Sequence, residues 1–269
     1  MSDAAVSDSG DEPVRLRRLL PEPGEVSSEE ATSGLRLGEL APPGRPYLVL
    51  NMVSSLDGRA TLAGRTAGLG GRADRELFHG LRTQADAVMA GAGTVRKERY
   101  GRMVRDPERR GRRRREGLGE NPLACVVSGS LAGLADTPLF EAPEQRVAIL
   151  TATDDELPPT AAPVEYVRAR GAGGAPGRVD LRAALARLRE EWRVRSILCE
   201  GGPTVNADLL AAGLVDELFL SLAPTLLAGE EPLTIVDGPA LPEPVELEPV
   251  SALEHTGELF LRLRVRHPT

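Results

Sequence analysis

The sequence predicts an α/β domain: a mixed, mostly parallel sheet flanked by helices, with an antiparallel carboxy-terminal edge. Three observations carry this expectation. Short β-rich runs recur from residue 47 onward, helical periodicity fills several of the gaps between them, and the last two runs follow one another with no helix between. Parallel neighbours need crossover connections, usually helical, whereas strands joined by a short turn pair antiparallel. At 269 residues the chain can bury a substantial core.

The first 45 residues are rich in Pro, Gly, Ser and Glu and read as a flexible extension. Residues 1–12 are expected to be disordered, and only 14–20 is apolar enough to lie on the folded body as an arm. The domain proper is expected over 46–269. Its strands are placed at 47–53, 86–90, 123–127, 146–151, 164–168, 194–199, 215–222, 245–253 and 258–266, several bounded by Gly, Pro or Asp. A helix is expected over 72–83. Another covers 181–190, where Leu181, Ala184, Leu185 and Leu188 fall on one face, and a third covers 203–212 with Val205, Leu209 and Ala212. In the final strand Leu259, Leu261, Leu263 and Val265 alternate with Arg262, Arg264 and Arg266, which predicts one buried face and one wet one. Residues 102–120 read as a mobile loop inside the domain.

Composition excludes several function classes. Cys125 and Cys199 each sit in an apolar run and read as small buried hydrophobes, which leaves no disulfide framework and no cysteine-rich zinc site. No stretch approaches 18 uninterrupted apolar residues, and acidic groups occupy the first 30 positions where a signal peptide needs an apolar block, so a cytoplasmic protein with no membrane partner is expected. Net charge is −7, and all but one of the 33 cationic residues are arginine, the exception being Lys97. Arginines crowd the segment from Arg96 to Arg115. With 3% aromatic residues there is little on which to stack bases, and Arg109 to Arg115 lacks apolar periodicity, so a solvated loop and no nucleic-acid partner are expected.

Three glycine-bearing turns follow predicted strands, where open α/β sheets place their ligands. Cys199-Glu200-Gly201-Gly202-Pro203-Thr204 runs from a strand through two glycines into a helix with Pro at its first position. Such a turn suits an anionic group at the helix N-terminus, and equally suits an ordinary tight connection. Ala90-Gly91-Ala92-Gly93-Thr94-Val95 lacks both the Gly-Lys-Ser/Thr ending of a phosphate loop and the third glycine of a dinucleotide fingerprint. Ser54-Ser55-Leu56-Asp57-Gly58-Arg59 reads on its own as a hairpin turn. His79, His255 and His267 are far apart and form no metal-ligand spacing, so no metal is expected; His79 takes a surface or structural role.

Taken in order and at these separations, S-S-L-D-G-R, A-D-A-V-M-A-G-A-G-T-V and E-G-G-P-T-V followed by L-V-D-E-L-F-L-S-L-A-P resemble the RibD C-terminal reductase family, with a dihydrofolate-reductase-like fold, from about Tyr47 to Arg266. The resemblance implies a homodimer that binds NADPH across the carboxyl edge of the sheet. It also implies reduction of the ribosyl group of 5-amino-6-(5-phosphoribosylamino)uracil to ribityl, by hydride transfer to C1′ of the opened imine. The residues before the domain are few and hold no Cys or His for the zinc deaminase of bifunctional members, which implies a stand-alone reductase. Position by position, Asp57 falls on the family's catalytic aspartate beside substrate and nicotinamide. Ser55, Arg105 and Glu200 fall on substrate-binding positions. Gly91, Gly93, Thr94 and Val95 fall on the cofactor turn, and Gly201, Gly202, Thr204 and Val205 on the pyrophosphate turn. Ser128 and Ser130 match the 2′-phosphate contact and Thr151 the adenosine side. Arg72 and Lys97 are further candidates for neutralising the substrate phosphate. Two departures stand out: the usual Asp-Asp-Pro after the cofactor turn is absent, and the usual Trp-Ile-Ser/Thr-Ser/Thr reads Gly68-Leu69-Gly70-Gly71. Both segments help hold the substrate in the family, so a pterin-like substrate of the same fold stands as the alternative, with a non-catalytic nucleic-acid-binding protein more remote.

Overall fold

The computed structural model describes residues 13–62, 64–66, 68–171, 177–230 and 233–267; the disorder expected for residues 1–12 falls outside them. The described residues form one sheet of eleven strands. In chain order these are β1 (Arg15–Leu20), β2 (Gly24–Ser27), β3 (Tyr47–Ser55), β4 (Ala87–Gly91), β5 (Leu123–Val127), β6 (Val147–Thr151), β7 (Val164–Arg168), β8 (Ser196–Cys199), β9 (Glu217–Ala223), β10 (Leu247–His255) and β11 (Glu258–Val265). The helices are α1 (Ser28–Ala31), α2 (Arg72–Leu81), α3 (Ala92–Lys97), α4 (Pro107–Arg115), α5 (Leu181–Glu190) and α6 (Pro203–Ala211). The spatial order is β2-β1-β10-β11-β9-β3-β8-β4-β5-β6-β7. From β9 to β7 every pairing is parallel, and from β9 through β11, β10 and β1 to β2 every pairing is antiparallel.

The parallel half is covered on both faces, which is why its strands read as continuous apolar runs. Leu48, Leu50, Met89, Cys125 and Leu150 pack under Leu185 and Leu188 of α5 and Leu209 of α6. Val88, Val126 and Ile149, one residue out of phase, pack on the opposite face with Met103, Leu139 and Phe140. Each such fully buried side chain contributes roughly 1.5 to 3 kcal/mol against exposure. Cys125 and Cys199 are free and buried. No helix of the described residues is long and apolar enough to cross a membrane.

Three expectations change. The arm expected at 14–20 packs on the body as β1, paired with β10, but the rest of the described part of the first 45 residues is not a loose extension: β2 pairs with β1, and Val26 joins Val14 and Leu16, buried against Ala73, Leu77 and Phe260. Three apolar residues and an otherwise open strand edge are enough to order a segment whose composition reads as flexible. The final strand has no simple wet face either. Phe260 and Glu258, on the face expected to be wet, are buried, Arg262 forms a two-pronged bond with the buried Glu217, and Leu259, Leu261 and Leu263 are only half-buried. Lastly, residues 107–115 are not a solvated loop. Asp106 caps α4 by accepting from the Glu108 N–H at 2.8 Å, with Pro107 in the first turn. Arg112 and Arg113 are buried, and their guanidinium groups donate to the carbonyls of Thr32, Arg82 and Ala85 at 2.6 to 2.7 Å and to Gly119 at 2.7 Å. Arg109, Arg110 and Arg114 pair with Glu76 and Glu120.

Candidate active site

The carboxyl ends of β3, β4, β5 and β8 open onto one cleft of about 1150 Å³. One part of its wall is built from turns. Gly91 to Thr94 lead from β4 into α3, Gly202 to Val205 lead from β8 into α6, and Ser128 to Ser130 follow β5. The first two turns lean on each other: the Gly91 N–H donates to the Gly201 carbonyl at 2.7 Å, a Cβ on Gly202 would lie 2.9 Å from the Thr94 hydroxyl, and one on Gly91 would lie 3.0 Å from Val205. The glycines are therefore required by the approach of two turns as well as by any ligand. First-turn N–H groups of α6, with no partner inside the helix, belong to this wall.

The other part of the wall carries side chains from α2 and the segment after α3. Phe78, Arg82, Tyr100 and Arg105 line it. Arg82 reaches Glu200 with two bonds of 2.6 and 2.7 Å, Tyr100 donates to the same carboxylate at 2.5 Å, and Arg82 also donates to the Met103 carbonyl at 2.9 Å. Burial together with the Glu200 charge pushes the Tyr100 hydroxyl well above its ordinary range, so it stays a donor. This buried triad ties the end of β8, immediately before the glycine pair, to the end of α2 and to the loop that carries Arg105. Arg105 itself is exposed at the cleft, and its guanidinium has no hydrogen-bond or ion-pair partner among the described residues. No group of His, Cys, Asp and Glu capable of holding a metal occurs among the described residues.

The model of the RibD C-terminal domain matches residues 46–261. The chain belongs to this family. A reductase of Methanothermobacter thermautotrophicus, named 2,5-diamino-6-ribosylamino-4(3H)-pyrimidinone 5′-phosphate reductase, is 31% identical over 200 residues, which cover 74% of this chain and 87% of that protein. A protein of the same name from Archaeoglobus fulgidus is 30% identical over 218 residues, 80% of this chain and 96% of the other. Among solved structures, a pyrimidine reductase-like protein of Corynebacterium diphtheriae superimposes with a TM-score of 0.70 at 26% identity, over 90% of this chain and all of that one.

Of the positions carried over from the RibD C-terminal family, the cleft brings together Gly91, Gly93, Thr94, Ser128, Ser130, Glu200, Gly202, Thr204, Val205 and Arg105, with Lys97 also on its wall. Val95 is buried beneath the first turn and Gly201 stands behind the second. Thr151 is buried at the end of β6, where its hydroxyl accepts from the Thr153 N–H at 3.2 Å. Ser55 and Asp57 do not line the cleft. The Ser55 hydroxyl donates to Asp57 at 2.5 Å, and the second Asp57 oxygen accepts the N–H groups of Leu227 and Ala228 at 3.0 and 2.7 Å. These bonds hold the exposed Asp57 carboxyl below the usual range, the Ser55 bond contributing most. In this structure Asp57 fastens the turn after β3 to the turn after β9. Glu200 does reach the cleft, but with both oxygens already engaged.

Sequence reasoning missed Asn51, Asp74, Phe78, Arg82 and Tyr100, all on the cleft wall. Asp74 occupies the first turn of α2 and Phe78 lies one turn on, so the two share a helix face. The signal that could have exposed Asp74 is the departure at Gly68-Leu69-Gly70-Gly71. A Cβ on Gly70 would overlap the Asp74 carboxylate, and one on Gly71 would lie 2.7 Å from the Glu258 carboxylate. The glycines occupy positions whose side-chain space belongs to two acids.

Proposed function

We propose that the chain is an NADPH-dependent reductase that converts the ribosyl group of a 5-phosphoribosylamino pyrimidine to ribityl. The substrate is 5-amino-6-(5-phosphoribosylamino)uracil or its 2-amino counterpart, the compound in the names of the archaeal relatives. The observation that carries this reading is the composition of the cleft: two mutually packed glycine turns leading into helices in one part of its wall, and in the other Arg105, whose guanidinium has no partner among the described residues. That arrangement suits a dinucleotide laid beside a small phosphorylated molecule.

When bound, NADPH supplies the hydride that reduces C1′ of the opened sugar. The chain's task is to bind and align. The glycine turns leave room for a pyrophosphate against the first-turn N–H groups of α6. Ser130, together with Arg96 on the same wall, offers a hydroxyl and a cation for the 2′-phosphate, and Ser128 shapes the turn by donating to the Ser130 carbonyl. Arg105 takes the substrate phosphate, and the Phe78 ring supplies an apolar surface for the pyrimidine. The triad of Arg82, Glu200 and Tyr100 fixes the distance between the cofactor turn and the substrate loop.

A homodimer is part of the proposal. Register places Leu259 opposite Leu222 and Leu261 opposite Leu220, so the half-buried Leu220, Leu222, Leu259, Leu261 and Leu263 form one continuous apolar face on β9 and β11, which a second copy would cover. Sedimentation equilibrium is the direct check. Both ligands are charged and do not cross membranes unaided, which favours a cytoplasmic location.

The test is NADPH oxidation with each phosphoribosylamino pyrimidine and, as the rival substrate, dihydrofolate. Turnover of a pyrimidine is expected; turnover of dihydrofolate alone would transfer the assignment to the pterin reading. Gly202→Val, which drives side-chain atoms into Thr94 and the space beside α6, is expected to weaken NADPH binding about tenfold or more, ~1.4 kcal/mol per decade. Unchanged affinity would remove the pyrophosphate from this turn.

A further inference from the structure

We propose that Asp74 reads the C2 substituent of the substrate ring, accepting the N3–H and a 2-amino N–H with its two oxygens, so that this chain favours the 2,5-diaminopyrimidinone over the deaminated uracil. The proposal rests on the reduction of a phosphoribosylamino pyrimidine argued above and specifies which ring the cleft takes.

Among the described residues four acids line the cleft, and three are already spent. Glu200 is held by Arg82 and Tyr100, Glu98 accepts the Thr66 N–H at 3.1 Å, and Asp106 caps α4 and faces Arg109 at 3.4 Å. Asp74 is the exception. Its carboxyl is partly buried beside the Ser221 hydroxyl, with the charge of Arg75 favouring its ionised form and no ion pair to it among the described residues. Burial holds it above the usual carboxylate range, the condition of an acceptor that has lost water and gained too few donors in return. Glu258, accepting the Gly71 N–H at 2.7 Å, stands behind it and is raised for the same reason, with the Asp74 charge adding to the effect. Two glycines make the room for this pair.

The ring chemistry then separates two substrates that differ at one atom. A 2-amino-4-oxopyrimidine offers N3–H and an amino N–H side by side on one edge, a pair of donors matched to the two acceptor oxygens of a carboxylate. The uracil ring offers N3–H between two carbonyl oxygens. Against it a carboxylate gains one bond and sets its second oxygen against a carbonyl lone pair. Phe78, one helical turn from Asp74 on the same wall, gives the ring face an apolar surface while the acid takes the edge.

Asparagine inverts this preference, because Asn presents one acceptor and one donor and so suits N3–H beside C2=O. The experiment measures binding and kcat/KM for both pyrimidines on the wild-type protein and on Asp74→Asn. Wild type is expected to favour the 2-amino substrate at least tenfold, and Asp74→Asn to abolish or reverse that ratio, chiefly through KM. A wild-type preference for the uracil, or a substitution that changes both substrates equally or neither, would overturn the proposal. The wild-type ratio alone decides the matter should the variant not fold. Binding of both rings with no reduction of either would sink the reductase reading while leaving the preference measurable; binding of neither would sink both.

Discussion

The arginines of α4 and the arginine at the cleft are the same side chain in opposite circumstances, although only a few residues separate them. Arg113 is buried and donates to three backbone carbonyls; burial lowers it to about 10, which leaves it cationic at neutral pH. Arg105 is exposed, lines the cleft and has no partner among the described residues. A run of charge in a sequence therefore says little about function until its partners are known. A guanidinium that answers carbonyls belongs to the fold, and one that answers nothing is available to a ligand.

The sharpest way to break this comparison is to remove each in turn. Arg113→Ala strands the two buried carbonyls of Arg82 and Ala85 and is expected to cost ~3 kcal/mol or more of stability, read by chemical denaturation, while the folded fraction keeps kcat/KM within about twofold. Arg105→Ala is expected to do the reverse, raising KM for a phosphorylated substrate by about 10- to 100-fold with the melting temperature unchanged, the scale of one or two charge-assisted bonds. An Arg105→Ala protein with normal KM and a lowered melting temperature would place that side chain in the structural class as well.

The same contrast holds, with smaller effects, for two aspartates. Asp57 is saturated with donors and sits below its ordinary range, so its contribution to stability is present at neutral pH and disappears as pH falls through that lowered value. Asp57→Asn is expected to lower the melting temperature at pH 7, with the gap from wild type closing in acid. Asp74 is raised by burial, so the folded protein holds its proton more tightly than the unfolded chain, and stability is lost as pH rises through the raised value. Asp74→Asn is expected to raise the melting temperature at pH 7, the gain fading toward the ordinary aspartate range. Melting curves of both variants between pH 4 and 8 check the pair, and shifts of the same sign would defeat the comparison.

Much of the parallel half was legible because its elements announce themselves locally. The apolar runs at β3 to β8, the face of α5 and the Gly-Gly-Pro entry to α6 are local signals, and the structure realises them within a residue or two. The cleft was legible where glycine marks a turn. It was opaque where a side chain from a helix reaches it, because Phe78 and Arg82 have no signature that separates a helix face lining a cleft from one facing water, and Asp74 is marked only indirectly, by the glycines that make room for it. The α4 helix was misread for a related reason. Asp106-Pro107 is a start signal visible in the sequence, but the apolar periodicity that usually confirms a helix is missing, since this helix buries guanidinium groups instead of hydrocarbon.

By itself the sequence determined the alternation of strands and helices, the family and the glycine turns, since these depend on residues close together in the chain. Tertiary structure alone decided which charges are spent. Whether an arginine meets a carbonyl 80 residues away, as Arg112 of α4 meets Thr32 after α1, or an aspartate meets two N–H groups 170 and 171 residues on, as Asp57 meets Leu227 and Ala228, is settled by how helices pack and by the register of distant strands. That register is fixed by summed burial over the whole sheet, and no local pattern carries it.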